Sequence, residues 1–211
     1  MTDQIYEQGT IEWLRQRAGK VTASRIADLM AKTKTGWGAS RENYKAQLVA
    51  ERLTGEPAES FTNAAMQWGT EKEPEARNAY SFRYDVDVVE VGMIDHPVIA
   101  MTGASPDGLI GADGMVEFKC PNTATHISTL LGGEIPGKYR LQMLWQMACT
   151  GRQWNDFVSY DPRLPEEMRM FVRRLDRDDA AIAEIEAAVS AFLAEVDATV
   201  AALTMKYKEA A

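Results

Sequence analysis

Three ionisable residues, Asp107, Glu117 and Lys119, stand in the pattern D-x9-E-x-K within residues 105–121, SPDGLIGADGMVEFKCP. Two carboxylates converging beside an ammonium form the arrangement that Mg²⁺-dependent phosphodiester hydrolysis requires. The carboxylates hold a hard cation through oxygen, and the cation acidifies a water. The lysine can then orient that water or offset charge developing on the phosphate. An ordinary hairpin with one polar face has the same spacing, so the elements carrying these residues must be weighed with them.

Asp113-Gly114 is a type I′ turn pair between two apolar runs, which predicts a β-hairpin. On its second strand Met115, Glu117 and Lys119 share one face, while Val116, Phe118 and Cys120 share the other and would enter the core. Glu117 and Lys119 would then project from one surface, with Asp107 entering the same space from the end of the preceding strand. Strands over 86–94 and 98–102, joined by a turn at Asp95-His96-Pro97, would make a sheet of about four strands with the hairpin.

A helix over 64–84 carries Glu71, Glu73 and Glu75 near its expected start, where acidic side chains favour the helix dipole. Glu73 could instead lean into the hairpin site as a further carboxylate. In a helix over 138–150, Leu141, Leu144, Trp145 and Ala148 form the apolar stripe, and Gln142 and Gln146 share another face. That face is either solvated or, through Gln142, turned toward a water or a metal-bound phosphate. Strands at 155–160 and 168–175 follow. An amphipathic helix over 177–206 closes the chain, with Ile182, Ile185, Val189, Phe192, Val196, Val200 and Leu203 on its apolar side.

Residues 9–17 read as a short helix with Trp13 and Leu14 inward, and Thr22 opens a second helix over Ile26, Leu29 and Met30. A phosphate at that start would meet backbone amides, the Ser24 hydroxyl and the Arg17 guanidinium. A second capping hydroxyl and a surface charge would explain the same two residues. Residues 33–40 form a turn-rich loop whose Trp37 could stack on a base or on the protein itself. Ser40 should cap a helix that runs to Leu53 and stops at Gly55. Gly132, Gly137 and Lys138 approach a phosphate-binding loop, but Tyr139 replaces its Ser/Thr and no convincing strand precedes it. Nucleoside triphosphate binding is therefore rejected.

With 211 residues, 45% of them hydrophobic, the chain fits a single domain, 1–211, whose core spans about 9–175. No run approaches the ~20 apolar residues of a membrane crossing, and the N-terminus lacks a leader pattern. Two cysteines, Cys120 and Cys149, point to a reducing compartment and exclude cysteine-rich zinc or iron–sulfur centres. A cytoplasmic protein is expected. His96 and His126 cannot build a histidine-rich metal site, and neither has a recognisable triad setting. A net charge of −8 argues against a general nucleic-acid coat. Residues 10–45 nevertheless hold eight basic residues against three acidic ones, a pattern for gripping a polyanion locally or for a solvated helical face.

WLRQRAGKVTASRIADLM, WGTEKEPEAR, TGASPDGLI, EFKCP, GGEIPGKYRLQMLWQM and YDPR occur in that order over about residues 9–175. In this the chain resembles the YqaJ-type viral recombinases, the lambda-exonuclease-like branch of the PD-(D/E)xK nucleases. The resemblance implies an α/β fold, a central mixed β-sheet flanked by helices around a restriction-endonuclease-like core, with a long C-terminal helix. It implies a Mg²⁺-dependent, processive 5′→3′ exonuclease on double-stranded DNA that releases mononucleotides. The 3′ single strand left behind would pass to an annealing protein. Asp107, Glu117 and the Phe118 carbonyl would bind metal, two ions per site, with Mn²⁺ able to substitute. Lys119 would position the attacking water, and Glu73 and Gln142 would complete the site. Arg17, Ser24 and Ser105 match the positions that hold a 5′-terminal phosphate.

The family's best-known member adds a basic residue five to eight positions beyond the catalytic lysine. Here Asn122, Thr123, Ala124 and Thr125 are neutral and His126 is the nearest candidate, so a weaker 5′-phosphate preference is expected. Kinship also implies a homotrimeric ring with a basic channel and an acidic exterior. Alternatives are a restriction-type or RecB-like endonuclease and a non-catalytic DNA-end-binding loader of an annealing protein. A Cas4-like nuclease would need an iron–sulfur cluster that two cysteines cannot supply.

Overall fold

The computed structural model describes residues 6–34, 36–58 and 64–208. The first five residues, which bear on the leader expectation, and Thr35 of the 33–40 segment lie outside them. The Thr10 hydroxyl accepts the Trp13 amide and caps α1 (Ile11–Arg17), where Trp13 and Leu14 are half-buried. A two-residue strand, β1 (Val21–Thr22), leads into a 3₁₀ turn over Ala23–Arg25 and the short α2 (Ile26–Leu29). Segment 33–40 is not a plain loop. It contains a small hairpin, β2 (Lys32–Thr33) against β3 (Gly36–Trp37). Trp37 packs on its own protein, with the Arg41 guanidinium 4.0 Å from its ring centre. Helix α3 (Ala39–Thr54) starts from Gly38, so Ser40 sits inside it rather than capping it. It ends as expected at Gly55, whose φ of +74° suits glycine.

Helix α4 (Ala64–Tyr84) covers the expected span. Glu71, Glu73 and Glu75 nevertheless lie well inside it, beyond the reach of the helix dipole. The valine-rich stretch 86–94 is not a strand throughout: it joins a ladder through one bridge, Val89 with Leu109, and through β4 (Ile94–Asp95). His96 Nδ1 accepts the Val98 and Ile99 amides at 3.3 and 3.0 Å, which bends the next residues into a turn. The following strand, β5, is therefore delayed to Thr102–Ala104.

The hairpin exists as β6 (Gly108–Ile110) against β7 (Gly114–Lys119), but its turn lies one step earlier than Asp113-Gly114. Gly111, at φ +52°, turns the chain, and Gly114 already pairs with Ile110. Gly114 is required for a different reason: a Cβ there would stand 2.1 Å from the Trp154 ring. Strand β7 pairs in parallel with β8 (Trp154–Tyr160), which pairs antiparallel with β9 (Met170–Asp176). The central mixed sheet thus runs β6-β7-β8-β9, built from the hairpin and the later strands rather than from 86–102. A smaller sheet runs β1-β5-β4. One helix was not foreseen, α5 (Thr123–Gly132), capped by Asn122 accepting the Thr125 amide and ended by Gly133 at φ +65°.

Both faces of the central sheet are covered. Met115 and Phe157 face Leu144 and Trp145 of α6 (Gly137–Thr150), together with α2, α3 and the long C-terminal α7 (Asp179–Lys208). Val116, Phe118, Val158 and Tyr160 face Ala76 and Tyr80 of α4. Each large apolar side chain buried this way contributes about 1.5–3 kcal/mol. The result is the expected mixed α/β fold with helices flanking the sheet. Contrary to the expectation that no stretch approaches a membrane span, Asp179–Tyr207 is by length and composition alone long and apolar enough for one. That helix is fastened to α3 instead: Glu195 accepts from both terminal nitrogens of Arg41 at 2.9 and 2.7 Å, and Asp197 pairs with Arg52. Its Ile185, Val189, Phe192 and Val196 are core residues.

Candidate active site

Burial of both faces of β7 decides where its polar side chains go. Glu117, expected on a surface, is wholly buried and is held by donors on every side. Lys119 Nζ and Gln142 Nε2 both donate to Oε1, and Gln146 Nε2 donates to Oε2 at 2.5 Å. Gln146 in turn accepts on Oε1 from Asn155 Nδ2 of β8 at 2.7 Å. Gln142 and Gln146, one turn apart on α6, therefore reach the same carboxylate, and the face they share is not solvated. Gln146 and Asn155 are the residues that sequence reasoning missed. The i,i+4 spacing of the glutamines was the available signal; the position of Asn155 depends on strand pairing and carried none.

Asp107 sits between β5 and β6, and its Oδ2 accepts the Phe118 amide at 2.7 Å. In an extended strand the N–H and C=O of one residue project to the same edge. The Phe118 carbonyl therefore faces the Asp107 side, where β6 has not yet begun. Burial, then the Glu117 charge, push the Asp107 carboxyl well above the ordinary carboxylate range, against the pull of Lys119. Burial alone would lower the Lys119 ammonium, but Glu117 and Asp107 together hold it above the usual lysine value. Lys119 is thus a fixed cation and hydrogen-bond donor at neutral pH, not a proton acceptor.

Glu73 comes in from α4. Arg77 Nη2 donates to its Oε1 at 2.9 Å, and burial raises its carboxyl while Arg77 and Lys119 pull it back. Two clefts flank the site. One, of about 380 Å³, is lined by Ser24, Asp28, Lys138 and Gln142. The other, of about 390 Å³, is lined by Gly69, Glu73 and Cys120. Lys119 and Tyr139 line both and form the divide between them.

Arg17 and Ser105 are brought into contact: Arg17 Nη1 and Trp13 Nε1 both donate to the Ser105 hydroxyl at 3.1 Å. The guanidinium stacks 4.0 Å from the Trp13 ring centre and has no carboxylate partner among the described residues. Burial pushes it down to about 10, with Tyr44 and Glu51 opposing, so it remains a cation at neutral pH. Ser24 is exposed, and its Oγ is 3.5 Å from the Thr22 hydroxyl, whereas Arg17 donates to Ser105. The register Thr22↔Gly103 of parallel β1 and β5 nonetheless carries Ser24 and Ser105 out of the sheet at the same end.

Two expectations fail here. His126 cannot supply a phosphate ligand, because it is fully buried with Nδ1 on the Ser159 hydroxyl and Nε2 on the Met168 carbonyl. The basic stretch 10–45 is not a free cationic surface either. Arg15, Lys20, Arg25, Arg41 and Lys45 pair with Glu56, Asp95, Asp28, Glu195 and Glu42.

The donors suit a hard divalent cation. Asp107 and Glu117 are crowded carboxylates, Asp107 Oδ1 carries no hydrogen bond among the described residues, and a strand carbonyl adds a neutral oxygen. Among the described residues no group of three Asp, Glu, His or Cys side chains is placed to hold a metal ion, while Glu73 lies close enough to Asp107, Glu117 and Lys119 to feel their charges.

Residues 12–153 match the model of the YqaJ-like viral recombinase domain. The crystal structure of an alkaline exonuclease, LHK-Exo, from Laribacter hongkongensis is 56% identical, with a TM-score of 0.90. LHK-Exo in complex with dAMP gives 0.91; each alignment covers 96% of the present chain and 100% of LHK-Exo. A phage-related exonuclease from Haemophilus somnus shares the fold at TM-score 0.69 and 16% identity, covering 87% of this chain and 96% of that one. An uncharacterized protein of Acanthamoeba polyphaga mimivirus is 26% identical over 167 residues, 72% of this chain, which spans 29% of that relative's length.

Proposed function

The chain belongs to the YqaJ-like viral recombinase family, and from that premise we propose that it is a Mg²⁺-dependent exonuclease acting 5′→3′ on double-stranded DNA. The observation that carries this reading is the Glu117 carboxylate, buried and gripped by Lys119, Gln142 and Gln146, with Asp107 tied to the neighbouring Phe118 amide. The 56% identity to an alkaline exonuclease supports it.

Asp107, Glu117 and the Phe118 carbonyl would hold Mg²⁺, with Mn²⁺ substituting and room for a second ion sought near Glu73. Bound there, the metal supplies an acidified water and neutralises charge on the phosphate. Lys119, protonated, would donate to an attacking water or to a phosphate oxygen and so place the nucleophile. Gln142, shared between Glu117 and the Ser24 cleft, orients the carboxylate and can reach the substrate phosphate. Arg17 and Ser105 would hold the 5′-terminal phosphate, with Ser24 at the cleft rim. Buttressing by Trp13 keeps the guanidinium fork preorganised.

Processive release of mononucleotides, hand-over of the 3′ strand to an annealing protein, and a homotrimeric ring complete the reading, supported by kinship. Linear and covalently closed duplex incubated with Mg²⁺ provide the test. Degradation of the linear form alone is expected; nicking or cutting of the closed circle would favour an endonuclease, and binding without cleavage a loading module.

A further inference from the structure

We infer that the cleft beside Gly69 is a binding subsite for the nucleoside on the 3′ side of the scissile linkage, and that Gly69 is there to leave room for it. The inference rests on the proposed nuclease reading and extends it to the far side of Lys119.

Gly69 lies in the interior of α4, where glycine lowers helix stability relative to alanine. Two reasons usually justify such a residue, and neither applies. Its backbone is not left-handed, and a Cβ built on it would meet nothing within 4 Å among the described residues. The space that a side chain would fill is the cleft itself.

Order along the substrate follows from the two clefts sharing Lys119 and Tyr139 as their divide. The terminal phosphate would be taken on the side of Arg17, Ser105 and Ser24. The scissile phosphate belongs at Lys119. A strand continuing past Lys119 must then enter the Gly69 cleft, whose next occupant is the following sugar and base.

The lining fits that chemistry. Met66 of α4 is 52% exposed, and Pro121 and Tyr139 also line the cleft. The Tyr139 ring is stacked on the buried Phe157 at 5.5 Å between centres, which holds it in place. Lys119 is the one basic residue in the lining. Thr70 and the Glu73 carboxylate complete a mixed lining. Its apolar side chains and its one cation suit a nucleoside joined to a phosphate at Lys119, and the carboxylate disfavours a second phosphate.

Gly69→Ala and Gly69→Leu, compared with wild type for Tm and for KM and kcat on linear duplex with Mg²⁺, test this. The alanine variant should unfold about 2–4 °C higher. The leucine variant should keep the wild-type circular dichroism spectrum and show a KM raised on the order of tenfold. A leucine variant with KM within twofold of wild type would overturn the inference while leaving the nuclease reading intact. Should the leucine variant not fold, the alanine variant decides: a higher Tm with KM raised more than twofold supports the subsite, and a higher Tm with unchanged KM overturns it. A wild-type protein inert on linear duplex would overturn the nuclease reading and this inference with it.

Discussion

Gln146 donates to Glu117 across 2.5 Å, and neither side chain reaches solvent. Asn155, by donating to the Gln146 oxygen, fixes which end of the amide faces the carboxylate. Gln146→Leu keeps the bulk but leaves Glu117 Oε2 buried without a donor. The expected loss is about 1–3 kcal/mol of stability, read as a lower urea midpoint with an unchanged slope. A variant as stable as wild type would mean that Gln146 does not secure the carboxylate.

Arg17 offers a cation already stacked and hydrogen-bonded, whereas His126 is committed to Ser159 and Met168. Arg17→Ala should therefore slow initiation at DNA ends far more than degradation already under way, measured by single-turnover against processive assays. Equal slowing of both phases would remove Arg17 from the end-phosphate role. With His126 withdrawn from the pocket, the preference for 5′-phosphorylated over 5′-hydroxyl ends should be modest and should rest on Arg17, so that Arg17→Ala erases it; a large preference that survives Arg17→Ala would refute that.

Asp107 gives a pH dependence of defined sign. Burial, then Glu117, raise its folded value well above the ordinary 3.8. Below that ordinary value both folded and unfolded chains hold the proton. As pH rises, the unfolded chain ionises first, and stability is lost until the folded value is passed. Asp107→Asn mimics the protonated acid and escapes this loss. In EDTA, the Tm of the variant relative to wild type should climb as pH rises from 4, and Mg²⁺ should restore wild type. A difference independent of pH would show that Asp107 is not under this strain.

Much of the site was legible because side-chain alternation on β7 is local. Met115 and Glu117 do point opposite Val116 and Phe118. The burial of Glu117 was not legible, because it depends on β8 and α6 covering a face that seemed free to remain polar. The same limit explains the misplaced strands. V-D-V-V-E-V has strand periodicity, but pairing requires a neighbour, and β7 took β8 from forty residues downstream instead. His96, which bends 98–101 into a turn through its ring nitrogen, left no periodic trace. The acidic residues of α4 lie two turns and more beyond Ala64, where packing against the sheet and pairing with Arg77 and Lys72, not the helix dipole, decide their surroundings. Helix α5 was within reach, since Asn122 and Gly133 are ordinary start and stop signals.

The most direct measurement is release of label from end-labelled linear duplex by wild type, Asp107→Asn and Lys119→Ala, with and without Mg²⁺, each variant first shown to be folded. Wild type should release 5′-terminal mononucleotides only with Mg²⁺, and both variants should release none. Release by either variant at the wild-type rate, or by wild type in EDTA, would contradict the assignment of Asp107 and Lys119 to a metal-dependent hydrolytic centre.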